Sequence, residues 1–178
     1  MAAVENETGA KMNELAWVAE ARKHIGMKEI PGKQHNPVIV GWLKSLKAWW
    51  SDDETPWCGT FVAHCCRTAG RDLPQHWYRA KAWADAGRRL NKPAYGCLAV
   101  FERSGGGHVG FVVGQDARGN LMVLGGNQSN AVNIMPFARS RVTAFVWPDV
   151  QGRRLMPAAG RYTLPLLQSN GRLSNNEA

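Results

Sequence analysis

Pro56-Trp57-Cys58-Gly59-Thr60-Phe61-Val62-Ala63-His64-Cys65-Cys66 is the stretch on which the reading of this chain turns. Pro56 fixes its own φ and disfavours helix at Thr55, so a helix is expected to open at Trp57 or Cys58. Phe61, Val62, Cys65 and Cys66 stand three, four, seven and eight residues after Cys58, which is one face of a helix. Cys58 therefore heads the stripe that packs this helix onto the rest of the fold. A thiol at that position meets the positive end of the helix dipole and unpaired backbone N–H groups, and both favour thiolate.

A nucleophilic thiol needs a base, and the five histidines are not equivalent candidates. His64 is six residues past Cys58, about 240° round the helix, and points elsewhere. His24 falls near the end of an amphipathic segment, where a C-terminal cation is ordinary. His35 and His76 lie in loops beside Asn36-Pro37 and Pro74. His108 follows Ser104-Gly105-Gly106-Gly107 and opens the alternating run Val109-Gly110-Phe111-Val112-Val113. A histidine at the mouth of a strand is held by the sheet yet reachable from a cleft, and the glycines let a substrate approach closely. Cys58 and His108 thus read as nucleophile and base of a cysteine hydrolase or acyltransferase.

A third group should orient the imidazole. The next strand, Asn120 to Leu124, runs into Gly125-Gly126-Asn127-Gln128-Ser129-Asn130. If His108 and Asn127 face each other on antiparallel neighbours, the Asn127 amide oxygen fixes the tautomer of His108. Gln128 and Asn130 are the alternatives, and the same run is also good turn chemistry.

Four pieces together resemble the NlpC/P60 and CHAP superfamily of peptidoglycan-cleaving cysteine hydrolases. They are Pro56 to Val62, Gly96-Cys97-Leu98-Ala99-Val100-Phe101, Gly107 to Gly114, and Gly126-Asn127-Gln128-Ser129. The resemblance covers roughly residues 12–148. It implies a papain-like α+β fold with the cysteine helix packed on an antiparallel sheet of about five strands. It also implies Cys58 as nucleophile, His108 as base and Asn127 as orienting residue, with peptidoglycan as substrate. Two departures are visible. Cys97 stands where relatives usually carry Asp, and no acidic residue precedes Asn127 as in some CHAP enzymes.

The rest of the chain fits one domain. Helices are expected at Met12–Ile25, with Leu15, Val18, Ala19, Arg22 and Ile25 near one face, at Pro37–Leu46, and at Trp77–Ala86. Strands are expected at Leu98–Glu102, His108–Val113, Leu121–Leu124, Val132–Pro136 and Val142–Trp147. Helices first and strands later indicate α+β rather than alternating βαβ. Residues 1–11 read as a flexible arm, 12–148 as the hydrolase domain, and 149–178 as an extended tail made basic by Arg153, Arg154, Arg161 and Arg172. There is no repeat and no apolar run of membrane-spanning length.

The net charge of +8 attracts polyanions without naming one. No zinc-finger, RNP-type or P-loop pattern supports nucleic acid as partner. The four cysteines lack the paired short spacings of a zinc site, and vicinal Cys65-Cys66 is a poor disulfide pair, so all four read as free thiols. Of the eight tryptophans, Trp42, Trp83 and Trp147 fall on apolar stripes and read as core. Trp50, Asp53, Trp57 and Gln128 are the candidate substrate-binding residues, because Trp49-Trp50 and Asp52-Asp53-Glu54 lie just ahead of the nucleophile. No cofactor is expected. Asp52, Asp53 and Glu54 offer oxygens to Ca²⁺, but the spaced ligands and glycine of an EF-hand loop are missing, and a solvated acidic loop is the preferred reading.

The expected function is a wall-degrading enzyme, a phage endolysin or an interbacterial effector, acting as a monomer. The opening residues lack a signal-peptide pattern, so synthesis in a reducing bacterial cytoplasm is expected, with action in the periplasm or wall after release or injection. An immunity or inhibitor protein is a candidate partner. The competing readings are a same-fold amidase, deamidase or acyltransferase on another substrate, and a catalytically silent wall-binding module.

Overall fold

The computed structural model describes residues 4–5 and 11–177. Most of the expected N-terminal arm, residues 1–3 and 6–10, lies outside them. Within it, strands β1 (Val4–Glu5) and β2 (Lys11–Met12) form a small antiparallel ladder.

Three helices precede the main sheet: α1 (Ala16–Arg22), α2 (Pro37–Ser45) and α3 (Cys58–Thr68). α2 starts where its sequence directs, with Pro37 in the first turn and the Asn36 side chain accepting from Val38 N–H at 2.9 Å. α1 is shorter than the periodicity predicts, and its buried face differs. Trp17, Val18 and Ala21 are buried, while Ile25 is exposed. The large indole of Trp17 sets that face. It donates to Gly96 O at 2.8 Å and packs edge-on against Trp147, and chain tightening into 3-10-type turns after Arg22 carries Ile25 outward. The segment Trp77–Ala86 forms a 3-10 turn at Ala80–Asp85 in place of an α-helix.

The sheet has six strands, one more than expected: β3 (Gly87–Leu90), β4 (Leu98–Arg103), β5 (Gly106–Gln115), β6 (Leu121–Gln128), β7 (Ala131–Phe137) and β8 (Val142–Pro148). The order is β3-β8-β4-β5-β6-β7, with all neighbours antiparallel. α3 lies on β5 and β6 and also contacts α1 and α2, so its apolar stripe closes the core. Cys58, Phe61, Val62, Cys65 and Cys66 are all buried, as are Trp42, Trp83 and Trp147. Gly126 permits the close approach, since a Cβ there would stand 2.7 Å from both Phe61 and Trp57 side chains. Among the described residues no helix is long and apolar enough to cross a membrane.

Residues 149–177 have little regular structure but do not hang free. They run back across the sheet through backbone hydrogen bonds. Gln115 N–H donates to Pro165 O, Leu167 N–H to Gln115 O, Ser174 N–H to Pro136 O, and Ser129 N–H to Asn176 O. Arg161, expected as part of a basic surface, is buried, with its guanidinium donating to Asn13 O and lying over the Tyr95 ring.

Candidate active site

Cys58 is the first residue of α3, following Trp57. The backbone N–H groups of Val109, Gly59 and Cys58 itself stabilise its thiolate form, and the Arg103 charge acts in the same direction. Burial is the larger effect and pushes the thiol above its ordinary value. The helix terminus alone predicts a thiolate. The enclosed site shifts the balance toward the protonated thiol.

His108 sits on β5 beside Val109, whose N–H points to the Cys58 sulfur. Its ring is fully buried, stacked on Phe137 with centroids 5.4 Å apart. Burial holds it far below the ordinary histidine value, at about 4, and the charges of Arg141 and Arg103 push the same way, against the hydrogen bond that the ring donates to Gln128. Burial thus disfavours the charged form of both groups, thiolate at Cys58 and imidazolium at His108.

The group that orients His108 is Gln128, with Oε1 at 3.0 Å from His108 Nε2. Asn127, expected there, instead donates from Nδ2 to Glu177 O at 3.3 Å. The reason is a bulge. Phe111 pairs with Leu124, and that register continued would bring His108 opposite Asn127. On the other side of β6, however, Gly125 pairs with Asn133 and Gln128 with Ala131, so β6 carries one residue more than β7 over this interval. Asn127 takes φ 58° in the bulge, and Gln128 inherits the face that Gly125 shares with His108. A Cβ at Gly125 would collide with Gln128 Oε1 and stand 3.3 Å from His108 Nε2, so that glycine makes room for the pair.

The Gln128 amide also decides which nitrogen of His108 is basic. Its Nε2 donates to Val123 O at 3.1 Å, Asn133 O at 3.0 Å and Asn133 Oδ1 at 2.8 Å. Backbone carbonyls only accept, so the amide nitrogen must face them and the amide oxygen must face the imidazole. His108 Nε2 then carries the proton, and Nδ1 holds the lone pair. Nδ1 is buried and has no hydrogen-bond partner among the described residues. That unpartnered nitrogen belongs to the residue before Val109, whose backbone N–H bonds the Cys58 sulfur, so imidazole and thiol come from neighbouring positions of β5 and α3.

The other expected site residues fall in different places. Trp57 is 1 % exposed and cannot reach a ligand; its indole N–H donates to Glu29 Oε1 at 2.9 Å. Asp53 is wholly buried. Its oxygens accept from Ile30 N–H, Asn36 N–H and His35 Nδ1 at 2.8, 2.6 and 2.9 Å, so it ties the loop to the body and does not face the cleft. Asp52 accepts from Thr55 N–H at 2.7 Å. Both Asp53 oxygens and one Asp52 oxygen are thus spent on N–H donors. Trp50 joins an aromatic cluster, stacked on Trp77 at 5.9 Å and edge-on to Trp49 and Tyr78.

A cavity of about 270 Å³ opens over Cys58, bordered by Tyr78, Arg79, Lys81 and Arg103. Of these, none was singled out from the sequence. A larger hollow of about 520 Å³ between Asp116–Arg118 and residues 166–171 lies apart from this chemistry. Elsewhere, Glu20, His24 and His64 bring three ligating atoms within 4.8 Å of one another, the one such grouping among the described residues. These atoms already satisfy each other, with His64 Nε2 and His24 Nε2 at 2.9 and 3.1 Å from Glu20 Oε1.

Residues 50–127 match the CHAP domain family. No curated protein and no solved structure matches the chain. CHAP domains are generally hydrolases acting on peptidoglycan. The matched stretch holds Cys58 and His108, and the α+β architecture, with α3 packed on the antiparallel sheet, is that of the CHAP papain-like fold. The domain match over residues 50–127 and the fold around it are consistent with the NlpC/P60–CHAP superfamily of peptidoglycan hydrolases.

Proposed function

We propose that this protein cleaves an amide bond in the peptide part of peptidoglycan, as an amidase or endopeptidase, through a thioester on Cys58. The observation that carries the reading is the buried, unpartnered Nδ1 of His108, whose Nε2 is held by Gln128, one residue before the Val109 N–H that bonds the Cys58 sulfur.

In the proposed reaction, Nδ1 accepts the Cys58 proton as sulfur attacks the amide carbonyl. The first-turn N–H groups of α3, which have no acceptor within the helix, stabilise the oxyanion. The imidazolium returns the proton to the leaving amine, and the acyl group remains on sulfur. Neutral His108 then deprotonates a water that attacks the thioester, and the proton passes back to the departing sulfur. Burial suits both halves of the cycle. It keeps the thiol and imidazole neutral between turnovers, and it strengthens the electrostatic stabilisation of charge as it develops.

The test is digestion of isolated sacculi by the protein and by its Cys58→Ala variant, with released fragments identified by mass spectrometry. New fragments from the unmodified protein alone are expected, and their ends name the bond. Equal release by both proteins would overturn the reading.

A further inference from the structure

The mouth of the Cys58 cavity is strongly and one-sidedly charged. Arg79, Lys81 and Arg103 border it, and among the described residues no acidic side chain does. Among the described residues none of these three cations is in an ion pair, whereas Arg141, a short way off, is held by Glu177 at 2.7 Å. In the acidic run just ahead of the nucleophile, Asp53 is buried among N–H donors and Asp52 caps its own turn, and no residue of the run borders the cavity.

Each cation is nonetheless held by packing. The Arg79 guanidinium lies over the Tyr78 ring at 5.6 Å. The Lys81 stem crosses Gly107, where a Cβ would stand 3.0 Å from its Cγ. Arg103 Nε donates to Gly107 O at 3.1 Å, which fixes the plane of the guanidinium and leaves its two terminal nitrogens for another acceptor. Three like charges gathered at one small opening repel one another, and an anion placed between them removes that repulsion. A carboxylate suits this arrangement, because a guanidinium fork binds it with two parallel hydrogen bonds.

We infer that the mouth of the Cys58 cavity is a carboxylate-binding subsite, and that the amide it takes carries a free carboxylate within about one residue of the scissile bond. The inference rests on the proposed hydrolase reading and names its substrate class: an acidic peptide. An extended phosphate polymer is disfavoured, since these three cations gather around one cavity of about 270 Å³.

The first experiment needs no wall substrate. Cys58 is alkylated with iodoacetate and with iodoacetamide, and the ratio of the two rates is compared with that of free cysteine. The expected ratio favours the anion by about tenfold over free cysteine and falls toward it with added salt. Arg103→Gln and Lys81→Met should each lower it severalfold, whereas Arg88→Gln, on β3 away from the cavity, should leave it unchanged. A ratio equal to that of free cysteine, or one indifferent to the Arg103 and Lys81 changes, overturns the subsite whether or not the protein cuts walls. The second experiment compares matched wall peptides carrying a free carboxylate or a carboxamide beside the scissile bond. A preference for the acid of about tenfold in kcat/KM, expressed in KM and lost in Arg103→Gln, is expected. Equal cleavage of both peptides contradicts the assignment while leaving the hydrolase reading intact.

Discussion

Two imidazole sites lie beside helix α3, and they differ in the oxygen that holds the ring. His108 is wholly buried and meets the neutral amide oxygen of Gln128. His64, on α3, and His24, just past α1, are partly exposed and share one carboxylate oxygen of Glu20, while Trp42 stacks on His64 at 4.9 Å. Burial raises the Glu20 carboxyl, but hydrogen bonds from His64, His24 and Lys23 outweigh it and bring the group down to about 2. The carboxylate site ties two helices together through one shared oxygen. The amide site orients a ring without offering it a counter-charge, so in the proposed mechanism His108 keeps its lone pair to act as base. The same side chain is thus a structural link or a base according to whether its partner can carry charge.

The comparison is broken most severely by removing the nucleophile that His108 serves. Cys58→Ala should lower turnover of wall substrate by at least about 1,000-fold with the fold retained, as checked by fragment release and by circular dichroism. Next comes the amide. Gln128→Leu should cost about 100-fold in kcat by freeing the ring, and Asn127→Ala less than about tenfold, measured side by side on folded protein. Losses of the opposite rank would restore Asn127 as the orienting residue. The pH profile comes third. With His108 at about 4 in place of 6.5, it stays an unprotonated base through mildly acidic conditions, so the acid limb of kcat/KM should fall near pH 4–5. An acid limb near 6.5 would show that the ring is not desolvated as described.

The smallest effect belongs to the carboxylate site. Glu20→Gln should lower stability by about 1–2 kcal/mol in urea unfolding and leave kcat unchanged. The sign of its pH dependence follows from the direction of the shift. Glu20 is lowered from 4.5 to about 2 on folding, so its contribution is present above 4.5 and is lost as pH falls toward 2. His108, lowered from 6.5 to about 4, likewise makes the fold less stable as pH falls through that window, because the unfolded chain binds the proton more readily. The Glu20→Gln variant should therefore show a shallower loss of stability below pH 4.5 than the unmodified protein.

The helix that carries Cys58 and the strand that carries His108 were legible because both announce themselves in side-chain pattern. The stripe Cys58, Phe61, Val62, Cys65, Cys66 has helical spacing, and Val109–Val113 follows a glycine run. Other features leave no such mark. β3 has Arg88 and Arg89 at its centre, both exposed on an edge strand, so no apolar alternation signals it. Gln128 was displaced from an alternative to the orienting position by one extra residue in β6, and a bulge of that kind is fixed by pairing with β7 rather than by local sequence. The docking of residues 149–177 rests largely on backbone hydrogen bonds, which any sequence can make. The link from Trp57 to Glu29 joins positions 28 residues apart through a loop. The charged rim went unread because Arg79, Lys81 and Arg103 come from two separate segments, and only the fold sets them around one cavity.

The account turns on the protonation of one ring. Nitrogen NMR of selectively labelled His108 at pH 7 reads it directly. The structure predicts a neutral imidazole with the proton on Nε2 and the lone pair on Nδ1, persisting down to about pH 5. An imidazolium at pH 7, or a proton on Nδ1, would contradict the assignment of Gln128 as the residue that readies His108 for Cys58.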